Sequence, residues 1–191
     1  MVSRFAGWLL LVLLAGPVSA AEVAGVKIAD AERVGNADLV LNGAGLRKRA
    51  FFQVYAIGLY LPQKMPTATD AIGAAGPKRV SIHMLRDVGA EQFGEALMEG
   101  MRDNHSEGEM KALEPRIRQL TAIMAGMKEA KEGMRITLDL VPGAGTQVTV
   151  QGKPSGAPIP GEDFYRALLR VWLGDNPVQG DLKKALLGEK R

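Results

Sequence analysis

Arg47 and Tyr55 are two side chains of this sequence whose chemistry could hold an anion. The planar guanidinium of an arginine suits a carboxylate or a phenolate, and a tyrosine hydroxyl on an otherwise apolar strand can donate a second hydrogen bond to the same anion. In a pocket lined by methionine and aliphatic residues, such a pair would fix the polar end of a hydrophobic acid. The residues alone favour another interpretation, in which Arg47 is a solvated turn residue of the run Arg47-Lys48-Arg49 and Tyr55 is a core tyrosine bonded to backbone.

Residues that other common sites require are missing or badly spaced. The sequence has no cysteine, which excludes thiolate nucleophiles and cysteine-ligated metals. His83 and His105 have no Asp or Glu at metal-ligand spacing on a shared helix face. Gly43-Ala44-Gly45 lacks the pattern of a dinucleotide fingerprint or a P-loop, and no Gly-x-Ser-x-Gly elbow occurs. We therefore expect neither a metal nor a cofactor.

The first 21 residues have the pattern of a signal peptide. Arg4 supplies a positive start, Trp8 to Leu14 form an apolar stretch, and Val18-Ser19-Ala20-Ala21 offers small residues for cleavage after Ala20 or Ala21. The apolar stretch is shorter than the roughly 20 residues of a membrane span, and an uncleaved N-terminal anchor is the alternative. We expect an exported, periplasmic protein in which residues 22–191 form a single domain with no transmembrane segment.

Composition narrows the class further. The chain has 191 residues, a formal net charge of +3 and a sequence pI near 9.2. This charge is a small excess and not an extended basic field, so we expect no nucleic-acid partner. Because an exported chain without cysteine has no disulfides, its stability must come from a packed core, and the length suits one domain with such a core.

Residues 39–61 have the pattern of a hairpin that is apolar on both faces. Leu39 and Leu41 indicate a first strand, Asn42 to Gly45 a glycine turn, and Ala50 to Leu61 a second strand rich in aromatic and β-branched residues. Since neither face of the second strand suits water, one face is expected to pack on helices. This interpretation places Arg47 at the bend.

The remaining segments alternate between strand and helix periodicity. Strands are predicted over 79–86 and, as a second hairpin, over 134–151, whereas helices are predicted over 90–104, 106–127, 164–173 and 181–187. The helix after Ser106 is expected to break or restart at Pro115, Gly94 and Gly100 suggest a close-packed partner for the preceding helix, and 152–161 is expected to be a loop. This order predicts an α+β chain in which helices cover one face of a curved sheet.

Two motifs resemble those of the chalcone-isomerase-like family. The first is Gly43-Ala44-Gly45-Leu46-Arg47 followed by Val54-Tyr55-Ala56-Ile57-Gly58-Leu59-Tyr60-Leu61, and the second is Trp172-Leu173-Gly174-Asp175-Asn176-Pro177-Val178. The resemblance covers about residues 22–188 and is nearest to the bacterial secreted branch. It implies an open-faced β-sandwich, a curved antiparallel sheet with a helical layer on one face. It also implies a ligand cleft between sheet and helices that receives Arg47 and Tyr55.

The same resemblance argues against the chemistry of the plant isomerases. Those enzymes close a flavanone ring with an arginine, a threonine, a tyrosine and an asparagine, and the last three positions correspond here to Tyr55, Phe93 and Gly100. The family's fatty-acid-binding branch instead uses an arginine and a tyrosine near these positions to hold a carboxylate. The pair Arg47 and Tyr55 resembles that branch.

We therefore expect a non-catalytic protein that binds a small hydrophobic carboxylate or a phenolic ligand through Arg47 and Tyr55. The first alternative is an intramolecular lyase or isomerase acting on a phenolic or enone substrate, with Arg47 as electrophilic anchor and Tyr55 as acid or orienting donor. The second alternative is a periplasmic scaffold or accessory protein, which would need an exposed apolar patch. The sequence indicates no particular protein partner.

Overall fold

A curved, seven-stranded antiparallel sheet organises residues 20–189, the part of the chain that the computed structural model describes. In chain order the strands are β1 (Ala20–Val23), β2 (Val26–Ala29), β3 (Ala31–Val34), β4 (Ala37–Arg49), β5 (Phe52–Leu61), β6 (Lys78–Met84), β7 (Val88–Gly89), β8 (Glu129–Ala130), β9 (Arg135–Val141), β10 (Gly145–Val150) and β11 (Lys153–Pro154). The large sheet has the order β11-β10-β9-β6-β5-β4-β3, and β1-β2 and β7-β8 form two small sheets. The helices are α1 (Ala68–Gly73), α2 (Ala90–Arg102), α3 (Glu107–Ala125), α4 (Glu162–Leu173) and α5 (Gly180–Leu186).

The helices pack on one face of the large sheet and enclose the main hydrophobic core. Ile57 and Leu59 of β5 are buried there together with Phe164, Leu168 and Trp172 of α4. Full burial of each such side chain contributes roughly 1.5–3 kcal/mol to folding. Helix α4 contacts α1, α2 and α5, and α2 contacts α3, so the helices form a continuous layer. The predicted fold class, α+β with a helical layer on one face of a curved antiparallel sheet, is confirmed.

The opposite face of the sheet is covered in part by the β1-β2 hairpin. Ile28 of β2 packs with Tyr60 of β5 in a second, smaller cluster of buried residues. The same face carries Arg79 of β6, which forms ion pairs with Glu32 and Asp139. Both faces of β5 are therefore buried, as its apolar pattern predicts.

The predicted glycine turn at Asn42 to Gly45 is wrong. Strand β4 runs through this segment from Ala37 to Arg49, and the chain reverses at Ala50 and Phe51, where Arg49 pairs with Phe52. Arg47 consequently lies within the strand, directly opposite Tyr55, and not at the bend.

The close approach of α5 to β4 explains the glycines that suggested a turn. A Cβ atom at Gly43 would overlap backbone carbonyl oxygens of α5, and one at Gly45 would lie 2.6 Å from Leu182 Cδ1. The Asn42 side-chain amide donates a 2.7 Å hydrogen bond to the Leu186 carbonyl in the same contact. Glycine here allows the backbones to approach each other, a role it also has in strands.

The expected break of α3 at Pro115 is also wrong. The helix runs through Pro115, and it begins at a capping box in which the Ser106 side chain and Glu109 satisfy each other's backbone N–H groups. Pro115 is exposed, so water can bond the carbonyl group that a proline leaves without its helical donor. The buried stripe of the helix continues on both sides of the proline; it consists of Leu113, Ile117, Leu120 and Met124.

The other predicted elements lie within a few residues of their expected bounds. One difference is that 152–161 is not wholly a loop, because it contains the two-residue strand β11. The close-packed partner expected for α2 is present: a Cβ atom at Gly100 would lie 2.8 Å from Val171 of α4.

The predicted signal peptide falls mostly on residues 1–19, which lie outside the described residues. Export, cleavage after Ala20 or Ala21 and a single domain over 22–191 thus stay predictions. Among the helices of residues 20–189, none is long and apolar enough to cross a membrane.

Candidate ligand-binding site

A cavity of about 730 Å³ lies between the end of the β4-β5 hairpin and helix α2. Arg47 and Tyr55 line it from the hairpin, Phe93 and Leu97 from α2, and Val171 from α4. Its volume is within the roughly 300–1,000 Å³ of small-molecule sites, and its mixture of apolar walls with a few polar groups is typical of them.

Arg47 and Tyr55 meet at this cavity because they are partners in the β4-β5 register. Directly opposed residues of antiparallel strands project on the same face, with Cβ atoms roughly 4.5–5.5 Å apart. Tyr55 belongs to the helix-side core and is buried, whereas Arg47 is half-buried. The register shifts immediately after Arg47, between Arg47 and Lys48, so the strand is irregular beside the pair.

The Tyr55 hydroxyl is held by Trp172 of α4, whose indole Nε1 donates a 3.0 Å hydrogen bond to it. This bond uses the phenol as an acceptor, and no residue among 20–189 accepts the phenol's own hydrogen. Burial raises the pKa of Tyr55, while the Trp172 bond and both the charge and the hydrogen bonding of Arg47 act in the opposite direction. The phenol is therefore neutral near pH 7 and has a hydrogen to donate.

The Arg47 guanidinium is fixed through one of its nitrogens. Nη1 donates to the carbonyl of Val178 over 3.0 Å and to the carbonyl of Lys48 over 2.7 Å. Among the described residues, no backbone carbonyl or carboxylate accepts from Nε or Nη2, and the only other group that Arg47 approaches as a donor is the Tyr55 hydroxyl. An arginine held at one nitrogen and open at the others is placed to bind an anion with little loss of side-chain entropy.

The segment from Trp172 to Gln179 ties both members of the pair to the helical layer. Asn104 at the end of α2 donates to the Asn176 carbonyl over 2.8 Å and accepts from the Asn176 backbone N–H over 2.9 Å. The Gln179 side chain accepts from the Lys48 backbone N–H over 2.8 Å. The loop after α4 is thereby fixed to α2 on one side and to β4 on the other.

Comparison with known proteins places this arrangement in a family. A family model described as chalcone isomerase-like matches residues 20–188. The chain belongs to the chalcone isomerase-like family. Among solved structures it is similar to a fatty-acid binding protein of Arabidopsis thaliana, with 16% identity, a TM-score of 0.65, and coverage of 85% of this chain and 92% of that chain. At this identity the likeness shows the fold alone. No curated protein matches the sequence.

In this chalcone isomerase-like chain, Phe93 and Gly100 also line the cavity. The Phe93 ring meets the Tyr55 ring edge to face, with centroids 6.2 Å apart. A larger side chain at position 100 would collide with Val171 and Val178. Neither position supplies a hydroxyl or amide, although Gln92 brings an amide to the lining.

Charged residues gather where the cavity meets the hairpin end. Arg49 and Arg86 line it there, together with Asp87, and Glu99 and Asp103 line it from α2. The lining therefore carries both signs of charge, with arginines on the hairpin and at position 86 and carboxylates at Asp87 and at the C-terminal end of α2.

The two histidines lie elsewhere. His83 is on the other face of the sheet, 3.2 Å from the Ser81 hydroxyl, and burial lowers its pKa. His105 donates from Nδ1 to the Met101 carbonyl over 2.8 Å at the end of α2. Within residues 20–189, no group of three or more His, Asp or Glu side chains is placed to hold a metal.

Sequence reasoning selected Arg47 and Tyr55 but did not assign roles to Trp172 and Val178. Both belong to the second family motif. The sequence therefore pointed to this segment near the C-terminus, but it did not indicate which residues the segment contacts. Their separation from Tyr55 and Arg47 by more than a hundred residues explains why no local pattern connects them.

Proposed function

We propose that this chalcone isomerase-like protein binds a small hydrophobic carboxylate in the cavity between β5 and α2 and does not catalyse a reaction. The observation that supports this most is the pair Arg47 and Tyr55, in which a guanidinium and a neutral phenol both have N–H or O–H groups to spare at one cavity wall. Two such donors can bind one carboxylate, with charge-assisted bonds from the arginine.

The apolar lining supports a hydrophobic tail. Val54, Leu97 and Val171 border the cavity next to the pair, and burying apolar surface contributes roughly 25 cal/mol per Å². The ligand class agrees with that of the Arabidopsis protein of similar fold, which is a fatty-acid binding protein. A fatty acid or an aromatic acid satisfies both requirements.

The absence of catalysis is supported by the other lining positions. A ring closure of the isomerase type needs donors placed where charge develops on the ketone oxygen. Phe93 and Gly100 stand at the aligned positions and provide no such donor. The isomerase alternative would require Tyr55 to act as the acid, with Arg47 as the anchor.

Export is part of the proposal. It is supported by the positive start, apolar stretch and small residues of positions 1–21, and by the resemblance to the secreted branch of the family. The exported protein would bind its hydrophobic carboxylate ligand in the periplasm. Cleavage after Ala20 or Ala21 predicts two specific masses for the mature protein.

The first test is native mass spectrometry of the protein expressed from its full-length sequence, followed by extraction and identification of bound lipids. Wild type is compared with Arg47→Gln and with Arg118→Gln, a control at an exposed arginine of α3 that pairs with Glu114. We expect a bound acid in wild type and in the control, and its loss in Arg47→Gln. The protein mass also reports whether and where the signal peptide is cleaved.

Affinity is measured by titration with oleic acid, using the fluorescence of Trp172, which contacts Tyr55. Loss of a charged donor costs about 1.5–3 kcal/mol, so Arg47→Gln should bind at least about tenfold more weakly. Equal affinity in Arg47→Gln and wild type would exclude the proposed role of Arg47. Turnover of a 2′-hydroxychalcone by wild type, followed by absorbance, would instead favour the isomerase.

A further inference from the structure

The end of the β4-β5 hairpin exposes two phenylalanine rings. Phe51 is 85% exposed and Phe52 is 48% exposed, and Val40 is the one other large hydrophobic residue of 20–189 that is exposed. The two rings lie side by side, with centroids 4.4 Å apart. Phe52 begins β5, and the loop before it has two residues, Ala50 and Phe51. Ala50 adopts a positive φ of 53°, so the backbone reverses tightly and presents Phe51 at its end.

Basic side chains surround these rings. Lys48 and Arg49 are exposed in the same strand, and the Arg86 guanidinium lies 4.3 Å from the centre of the Phe52 ring. The whole stretch from 39 to 69 contains no Asp or Glu. The nearest acidic neighbour in sequence to Arg86 is Asp87, whose Oδ1 accepts the Glu132 backbone N–H. We call the segment Lys48–Phe52 the basic-aromatic tip.

The basic-aromatic tip lies at the opening of the cavity. Arg49, Ala50 and Phe52 line the cavity together with Arg86, whereas Phe51 does not line it. A surface that covered the tip would therefore also meet the entrance to the proposed binding site.

We infer that the basic-aromatic tip docks on an anionic lipid surface, with Phe51 and Phe52 inserted at the level of the headgroups and with Lys48, Arg49 and Arg86 against the phosphates. The inference rests on the proposed function, since a carrier of hydrophobic acids has to exchange them with the phase in which they dissolve. Docking in this orientation brings the cavity entrance to the lipid.

The shape and charge of the tip favour lipid over a protein partner. A specific protein interface uses about 20–30 residues from each side, whereas the exposed apolar part of this tip is two residues. Aromatic rings among lysine and arginine side chains suit the boundary between headgroups and acyl chains, where cations meet anionic lipid and rings enter the apolar region.

The test is co-sedimentation of the full-length-expressed protein with sucrose-loaded vesicles of phosphatidylcholine, with and without 30% phosphatidylglycerol. We expect binding that requires phosphatidylglycerol and weakens as salt is raised. Lys48→Gln/Arg49→Gln should bind about 25-fold more weakly, at about fivefold for each cation. Phe51→Ser should bind vesicles at least about tenfold more weakly, because the variant has no ring at this position to transfer from water into the lipid.

Matched controls carry the same chemical changes elsewhere. Val40→Ser removes the other exposed hydrophobic residue, and Lys153→Gln/Lys184→Gln neutralises two exposed lysines outside the tip. Both controls should bind vesicles like wild type. Equal losses in controls and tip variants, or no difference between the two vesicle types, would overturn the inference. So would self-association of wild type that Phe51→Ser abolishes, since a second copy would then cover the tip.

Oleic acid titration in solution separates this inference from the proposed function. Phe51 lies outside the cavity lining, so Phe51→Ser should retain wild-type affinity for oleic acid while losing vesicle binding. Wild type that binds oleic acid but no vesicle overturns the docking alone. Wild type that binds neither overturns both proposals.

Discussion

Arg47 and Arg79 lie on opposite faces of one sheet and use their guanidinium groups differently. Arg79 donates from Nε and Nη2 to Asp139 over 2.7 and 2.6 Å, and from Nη1 to Glu32 over 2.9 Å. Arg47 donates from Nη1 to two backbone carbonyl groups and, among residues 20–189, has no carboxylate partner, its other neighbour being the Tyr55 hydroxyl. One arginine is satisfied by the protein, and the other adjoins a cavity.

The difference separates a structural charge from one available to a ligand. A guanidinium bound at all three nitrogens by carboxylates has its charge neutralised within the protein and holds β3, β6 and β9 together. A guanidinium fixed at one nitrogen retains donors for an incoming anion. Three substitutions test whether a structural cation can be told from a ligand-binding one by two features: how many of its N–H donors are bound by the protein, and whether a cavity lies beside it.

The largest effect is expected for Arg79→Met. Removal of the Arg79 guanidinium leaves the buried Asp139 carboxylate without its bidentate partner, which typically costs about 3–5 kcal/mol of unfolding free energy. Urea denaturation followed by circular dichroism measures this loss. The double variant Arg79→Met/Asp139→Leu should recover much of it, because no unpaired charge remains. A loss below about 1 kcal/mol in the single variant would remove the structural role assigned to Arg79.

For Lys78→Met we expect an increase in the unfolding free energy, smaller in size than the loss in Arg79→Met. This variant tests a buried cation that, within residues 20–189, has neither a hydrogen-bond partner nor a cavity beside it. Lys78 is fully buried at the start of β6, its Nζ has no hydrogen-bond partner among the described residues, and it lines neither the candidate site nor the groove between α2 and α3. Burial is the main factor that lowers its pKa from 10.5 to about 8. An unsatisfied group without a cavity should reduce stability and serve no ligand.

The sign of the pH dependence follows from that lowered pKa. Between about pH 8 and 10.5 the unfolded chain binds more protons at Lys78 than the folded protein does, so the unfolding free energy of wild type should rise with pH across this window. At about 1.4 kcal/mol per pH unit, the cost of burying the cation below pH 8 is at most about 3.5 kcal/mol. Lys78→Met should therefore be more stable than wild type at pH 7, by up to this amount, and should lack the rise. Urea denaturation at pH 7 and pH 10 measures both quantities, and a destabilised Lys78→Met would contradict the argument.

The smallest effect on stability is expected for Arg47→Gln. The half-buried side chain loses hydrogen bonds to two carbonyl groups, one of them exposed, which should cost about 1–2 kcal/mol of unfolding free energy. The same variant is the one expected to lose acid binding. Urea denaturation in the absence of ligand measures the change in unfolding free energy. A loss as large as that of Arg79→Met would make Arg47 a structural residue.

From residue 39 onward the order of the main strands and helices could be predicted from the sequence, because hydrophobic periodicity reflects which side of an element is buried, whereas β1, β2, β3 and α1 were not predicted. Two of the errors concern residues with several structural uses. Gly43 and Gly45 permit the approach of α5 and do not make a turn, and Pro115 sits on an exposed side of α3 where the helix tolerates it. Local sequence does not distinguish these uses, since each depends on what packs against the residue.

The pair at the candidate site was predictable from its residue types together with the family motif. Its geometry was not, because Trp172 and Val178 reach Tyr55 and Arg47 from a distant part of the chain. The exposure of Phe51 and Phe52 was likewise hidden, since the pattern placed both rings in or beside a strand buried on both faces.

By itself, the sequence determined the fold class and the family motifs, and the motifs selected Arg47 and Tyr55 as donors for an anion, because periodicity and motifs are local properties of the chain. Tertiary structure alone decided that Arg47 pairs with Tyr55 in register, that Trp172 leaves the phenol's hydrogen free, and that the cavity opens beside an exposed aromatic tip. The physical reason is that satisfied and unsatisfied hydrogen bonds, burial and cavities arise from contacts between residues far apart in the chain, and no local pattern specifies which of them meet.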